Sequence, residues 1–393
     1  MPRSICIHNA TVLNGYTQMK NCAVLIKQNK IIDVFNEGRF KDKKFADDCL
    51  IIDAKGAYII PGLIDTHIHG IKGYGTEDGT EKAILKMSEA LVEFGVTSFI
   101  PTLYTSSKEK MLKSIRAIVS AMGKEKGARI LGMHLEGPFI SKDRLGVQSE
   151  DDVSPVDLKL MEEFLTAAEG HIVNMTVAPE LKGMRELALY AISNGIVLQA
   201  GHTNANYAQM IEAMQARIFH VTHLFNAMSR MHHRDPGVVG AVFIHPELSC
   251  EVIADGIHIN PEIIKFLLTC KSLDKVVLVT DSLKPTKQTK KPLIANGDEV
   301  YLNKCFYRKS DDAIAGSALT MIDSVKNIVS YGLHLEQAVH MASTNPARIM
   351  KQEHLGIIAP GYDADLVILN EKLNVLYTII GGQIYKKGKH LCI

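Results

Sequence analysis

Histidines 67 and 69 stand one residue apart in "PGLIDTHIHG", behind an apolar run and a proline-glycine turn. On a strand, residues i and i+2 face the same way, so His67 and His69 present two imidazoles to one cation. A lone His-x-His is weak support for a metal, because a strand-end histidine or aspartate is more often a cap or a satisfied polar group. The rest of the chain supplies partners: Glu136 in "HLEGPF", His202 in "AGHT", His223 in "THLFNAM" and Asp281 in "TDS". Four imidazoles and two carboxylates are a ligand set for one or two first-row divalent ions. Such an ion lowers the pKa of water toward neutrality and polarises a carbonyl, which is hydrolytic chemistry. Asp281 is the candidate to take the proton of the attacking water and hand it to the leaving group. Glu136 can bridge two ions, with His67 and His69 on one and His202 and His223 on the other. His134 lies two residues before Glu136 and shares its face, where a supporting hydrogen bond is as good a reading as any. His171, His220, His245, His334, His340, His354 and His390 read as ordinary histidines.

The elements that would position these groups follow a βα rhythm. Eight apolar runs alternate with helical patterns: "GLIDTHIH", "VTSFIPTL", "RILGMHLEG", "HIVNMTVAPE", "IVLQAGH", "IFHVTHLF", "SCEVIADG" and "KVVLVTDS". Segments such as "EKAILKMSEALVEFG" and "DLKLMEEFLTAAEG" space apolar residues by three and four and end in Gly, a helix stop. Eight strands with intervening helices predict an α/β fold, a (β/α)8 TIM barrel. Chemistry in that fold gathers at the C-terminal strand ends, and the six residues above all fall there. Coincidence on one rim is hard to obtain from capping alone. An open doubly wound sheet is the rival, but no Gly-rich phosphate fingerprint follows the first strand.

Both ends of the chain are β-rich. "SICIHNATVLNG", "CAVLIKQNKIIDVFN" and "CLIIDAKGAYIIPG" open it, and "APGYDADLVILNEKLNVLYTIIGGQIYKKGK" closes it, with turn residues between apolar runs. The reading is a small β-sandwich domain assembled from residues 1–56 and 356–393 around a barrel of residues 57–355. After the eighth strand, "LKPTKQTKKPLIANGDEVYLNKCFYRKSDDAIAGS" reads as a solvated excursion, its lysines a weaker pointer to an anionic partner.

Bulk properties narrow the function classes. With 44 basic and 43 acidic residues the net charge is +1, giving no electrostatic reason to expect nucleic acid or a membrane surface as partner. Seven cysteines without a C-x-x-C pair indicate neither a disulfide framework nor a zinc ribbon. The first residues lack a long apolar core and no stretch reaches membrane-spanning length. The expectation is a reduced, cytoplasmic protein.

"PGLIDTHIHG" and "GIIAPGYDADLVIL" resemble the amidohydrolase superfamily. "HLEGPF", "GHTNA", "VTHLFNAM", "DPGVVGA", "IADGIH", "VTDS" and "IAGSALTM", in that order, resemble its N-acetylglucosamine-6-phosphate deacetylase branch. Cyclic-amide members usually bridge their metals with a carboxylated lysine; the matching strand here offers Glu136. The resemblance implies removal of the acetyl group from N-acetyl-D-glucosamine 6-phosphate, giving D-glucosamine 6-phosphate and acetate, in amino-sugar catabolism and cell-wall sugar recycling. It further implies that Glu136, His202 and His223 bind metal throughout the branch, and that members keeping both His67 and His69 hold two ions while others hold one. Asp281 matches the branch's acid/base. The ion is zinc, iron, manganese or cobalt, a choice the ligands do not make.

For substrate, the resemblance places Asn226 and Ala227 near the phosphate and gives Arg234 the charge that a phosphate needs. Arg234 sits on a loop that in this branch reaches the neighbouring subunit's site, implying a homodimer. His258 matches a sugar-contacting histidine, and Ile314, Ala315 and Gly316 a backbone wall around the sugar. Val147 and Gln148 fall on a substrate-facing loop that varies between members, so the role of Gln148 stays open. Three alternatives remain: a deacetylase of N-acetylgalactosamine 6-phosphate, a cyclic-amide hydrolase, and a catalytically silent scaffold. The second predicts a lysine bridge and no phosphate arginine; the third predicts missing ligands.

Overall fold

The computed structural model describes residues 4–386 and 389–390, with side chains to Tyr385, so the side chain of His390 lies outside the described residues. Eight parallel strands form the barrel: β1 (Leu63–Ile68), β2 (Val96–Leu103), β3 (Met133–Glu136), β4 (Ile172–Val177), β5 (Val197–Ala200), β6 (His220–Val221), β7 (Ser249–Ile253) and β8 (Val276–Val279). Each pairs with its successor in parallel register. The ring closes between its ends by a parallel bridge from Ile68 to Ser282, and the Asp281 N–H donates to the His67 carbonyl at 2.8 Å. The predicted eight-strand barrel is therefore the observed one. The third run is interrupted, with Arg129–Ile130 pairing on β2 before β3 begins.

Strands buried on both faces explain the unbroken apolar runs: all eight residues of β2 and all six of β1 are buried. Helices Glu81–Leu91, Lys108–Ala121 and Leu158–Ala168 start where Thr80, Ser107 and Asp157 accept backbone N–H groups of their first turns. Their apolar stripes pack Ile84, Met87, Ile115, Ile118, Met161 and Phe164 onto the barrel. The third helix stops one residue before its glycine: Glu169 itself adopts the left-handed conformation (φ 52°).

Residues from both termini share one nine-stranded sheet. Ser4–Leu13 pairs antiparallel with Gln18–Lys27 and parallel, along its two halves, with Cys49–Asp53 and Tyr58–Pro61. Tyr58–Pro61 in turn pairs antiparallel with Leu366–Leu369, so the chain's two ends meet there. Ile7, Ile26, Ile59, Leu366 and Ile379 form its own apolar core. Tyr58–Pro61 belongs to this sheet, and Gly62 leads directly into β1.

The segment after β8 is more than a solvated excursion. Ile294–Ala295, Asp298–Asn303, Cys305–Arg308 and Ile314–Gly316 make an antiparallel four-stranded sheet. Val300 and Phe306 pack with Leu283 and Tyr104 of the barrel. Its lysines hide this in the sequence, because they precede the first strand or, as Lys304 and Lys309, stand at its turns. Among the described residues the cysteines are free thiols, and no helix is long and apolar enough to cross a membrane.

Candidate active site

Strand ends place the six candidate ligands on one rim, in two groups that meet at Glu136. His67, His69 and Asp281 have ligand atoms within 4.8 Å of one another, as do Glu136, His202 and His223. Glu136 Oε1 is 3.2 Å from Nε2 of both His202 and His223 and 3.4 Å from His67 Nε2; its Oε2 is 3.4 Å from His69 Nε2. Asp281 Oδ1 is 3.3 Å from His69 Nε2 and 3.6 Å from His67 Nε2. The carboxylate on β3 thus faces both groups.

Acceptors behind the rings fix which nitrogen faces inward. His69 Nδ1 meets the Thr102 carbonyl at 3.1 Å and His202 Nδ1 the Arg144 carbonyl at 3.0 Å; a carbonyl only accepts, so both Nδ1 atoms carry the proton. His67 Nδ1 meets the Glu251 carboxylate at 3.0 Å. The Nε2 atoms are then left to converge, with those of His202 and His223 3.2 Å apart. His67 Nε2 and His223 Nδ1 are buried without a hydrogen-bond partner. A cation placed between these converging nitrogens and carboxylate oxygens would satisfy them together, and nitrogen with carboxylate donors suits a first-row divalent ion. The residues fit such an ion.

Burial alone would raise the Glu136 carboxyl, but the imidazoles of His202, His223 and His67 gathered around it outweigh that and hold it well below the usual carboxylate range. Burial opposes charge on His69, yet Asp281 and Glu136 raise it to about 8.

Three of the six residues adopt a left-handed backbone: His202 (φ 46°), His223 (φ 25°) and Asp281 (φ 47°). Each costs on the order of 1–2 kcal/mol. Main-chain bonds hold them there: the His202 carbonyl accepts from Ser141 N at 2.8 Å, and the His223 N–H reaches Glu251 at 3.2 Å.

Above the rim lies a cavity of about 140 Å³. His69, Glu136, His202, His223 and Asp281 line its floor, with Val147, Gln148, Asn226, Ala227, His258, Ile314, Ala315 and Gly316 around them. His67 lies beneath, fully buried. The last strand of the added sheet forms one wall, and Gly316 (φ 148°) leaves no room for a side chain, since a Cβ would fall 2.5 Å from Leu283. Gln148 Nε2 donates to Glu136 Oε2 at 2.7 Å, while its Oε1 is buried without a partner. His258 is aimed by Asp255, whose Oδ2 takes Nδ1 at 2.6 Å and whose Oδ1 takes the Ile257 and His258 N–H groups at 2.8 Å each. Arg234 is the exception: it is exposed, on a loop outside this cavity.

Three residues of the surroundings escape the sequence reading. Tyr104 stacks on His69 with centroids 3.8 Å apart and planes 9° from parallel. Asp255 fixes His258, and Glu251 supports His67. A signal existed for Glu251: a charge inside the apolar run "SCEVIADG" needs a buried partner. His134 bonds Thr102 Oγ1 at 3.3 Å and Thr176 Oγ1 at 2.8 Å, bracing the barrel interior rather than Glu136.

The amidohydrolase family model matches residues 58–385. The N-acetylglucosamine-6-phosphate deacetylase of Lysinibacillus sphaericus is 31% identical over 383 residues, 97% of each chain. The solved structure of that enzyme from Pasteurella multocida superposes with a TM-score of 0.90 at 28% identity, covering 98% of this chain and 100% of its own. A mutant from Mycobacterium smegmatis, solved with N-acetyl-D-glucosamine-6-phosphate, gives 0.89 at 27% identity, covering 97% and 99%. Matched along nearly its whole length in sequence and in backbone, the chain belongs to the amidohydrolase family.

Proposed function

We propose that this chain hydrolyses the amide of N-acetyl-D-glucosamine 6-phosphate, releasing acetate and D-glucosamine 6-phosphate. The observation that carries the reading is the convergence of both ligand groups on Glu136 at the floor of a cavity walled for a small polar substrate. Full-length likeness to N-acetylglucosamine-6-phosphate deacetylases supports the choice of substrate.

His67, His69 and Asp281 would hold one ion and Glu136, His202 and His223 the other, with Glu136 facing both. A divalent ion there supplies water activation near neutral pH and polarisation of the amide carbonyl. Asp281 accepts the proton of the attacking water and delivers it to the departing amine nitrogen, so that water and amide become acetate and amine. Its carboxyl suits the accepting role. Burial would raise it, but His67 and His69 hold it below the usual range, and it is ionised at neutral pH. His258, with its Nδ1 proton committed to Asp255, turns Nε2 toward the sugar. Asn226 and Ala227 sit at the phosphate end, and the Ile314–Gly316 backbone walls the ring. Val147 and Gln148 close the loop side.

Arg234 is exposed and does not line its own cavity; in the proposed homodimer it serves the neighbouring site's phosphate. The ion is zinc, iron, manganese or cobalt, and its identity and number are read by elemental analysis of protein purified without added metal. Acetate release from N-acetyl-D-glucosamine 6-phosphate, its galactosamine epimer and unphosphorylated N-acetyl-D-glucosamine tests the function. A higher kcat/KM for the first is expected; equal or reversed preference between epimers overturns the substrate assignment.

A further inference from the structure

Glu251 takes part in none of these steps. It sits in the middle of β7, fully buried, below the rim. A carboxylate there costs several kcal/mol unless it is bonded. Its Oε2 accepts twice, from His67 Nδ1 at 3.0 Å and from the backbone N–H of His223 at 3.2 Å. It therefore touches both ligand groups through different atoms, the imidazole of the first and only the main chain of the second.

That difference has a consequence for metal binding. His69 and His202 orient their rings on main-chain carbonyls, which no side-chain substitution removes. His67 orients its ring on a side chain 184 residues away. Its Nε2 is buried, unpartnered, and points at the oxygens of Glu136 and Asp281. We propose that Glu251 is the positioning residue that makes this a two-ion enzyme. It holds His67 as the Nδ1–H tautomer with Nε2 free to ligate, while the Glu136, His202 and His223 group keeps its ion without it. Histidine ligands need such an acceptor to present the correct nitrogen, and losing it weakens metal binding by about 10- to 100-fold. Glu251 Oε1 has no hydrogen-bond partner and lies 3.9 Å from His220 Nε2, so only Oε2 serves the ligand rim.

The inference rests on the metal-dependent reading above, and its test uses zinc alone. Metal-free wild type, Glu251→Met and Glu251→Gln are titrated with Zn²⁺ by calorimetry. Methionine fills the space without accepting a hydrogen bond; glutamine keeps an acceptor oxygen. Wild type should take two equivalents. Glu251→Met should bind the ion at His67 about 10- to 100-fold more weakly and the ion at His202 and His223, whose group loses only a main-chain bond, by clearly less, and Glu251→Gln should restore the first. Two wild-type-like sites in Glu251→Met, equal weakening of both, or a glutamine variant that behaves like methionine each overturns the proposal. Should Glu251→Met not fold, imidazole ¹H–¹⁵N spectra of zinc-loaded wild type still decide: the His67 proton is expected on Nδ1, and a proton on Nε2 overturns the assignment. Wild type that binds two ions yet leaves the acetyl sugar intact defeats the proposed function and not this inference.

Discussion

Replacing Asp281 by Asn separates proton transfer from everything else the residue does. The two side chains are isosteric, so no cavity opens, and Asn tolerates the left-handed backbone (φ 47°) as well as Asp does. The main-chain bond to the His67 carbonyl is untouched. An amide oxygen still faces His69 Nε2 and His67 Nε2, where Asp281 Oδ1 sits at 3.3 and 3.6 Å. What is lost is an anionic acceptor for the water proton. General acid–base catalysis is worth about 10²- to 10⁴-fold, or about 3 to 5 kcal/mol on the barrier. D281N should therefore show kcat down by that factor, KM nearly unchanged, a melting temperature within a few degrees of wild type, and metal retained at Glu136, His202 and His223. Steady-state kinetics by acetate release, with metal content measured on the same sample, checks all four. Turnover within tenfold of wild type refutes the assignment. So does loss of the ion at His67 and His69 in step with the rate, which would make Asp281 a ligand and nothing more.

Three other outcomes are expected. Chelation should abolish activity and leave the circular dichroism of the barrel intact, because its core rests on fully buried apolar residues such as Phe99 and Phe164; a site filled at 1,000 times its Kd adds about 4 kcal/mol, so the metal-free melt should fall and recover with added ion. Mixing inactive R234A with inactive D281N should regain activity if Arg234 crosses to the neighbouring site, since one site of each mixed dimer then has both residues; no regain refutes the crossing. Burial pushes the Glu77 carboxyl up from its ordinary 4.5 to about 7, with one oxygen on the Asn296 N–H at 2.8 Å and the other unpartnered. Between those pH values the folded chain holds a proton that the unfolded chain has released, so stability falls as pH rises through the window. At about 1.4 kcal/mol per pH unit the loss is at most about 3.5 kcal/mol, and E77Q should lack it; parallel melting curves for the two proteins from pH 5 to 8 would refute this.

How legible this site is in the sequence follows from where each residue sits. His67, His69, Glu136, His202, His223 and Asp281 read easily because each ends an apolar run, and a parallel barrel puts all such ends on one rim. The barrel itself reads because its strands, buried on both faces, stay apolar without alternation. Glu251 shows only as a charge inside an apolar run, and its meaning comes from a ring 184 residues away. Tyr104 acts through a stacking contact that no spacing encodes. The sheet after β8 is obscured by lysines at its turns, and its apolar residues Val300 and Phe306 are too few to form a clear pattern. Arg234 is visible as a charge, and the structure leaves it exposed outside the cavity.

The pairing of Tyr58–Pro61 with Leu366–Leu369 bears on how the chain is made. During synthesis the early strand emerges about 300 residues before its partner, leaving an open hydrogen-bonding edge beside the half-built barrel. Shortening the chain before Leu366 would leave that edge bare for good. The strand Leu366–Leu369 acts as a latch, and a nascent polypeptide lacking it is expected to be protease-sensitive and sticky even with every metal ligand already translated.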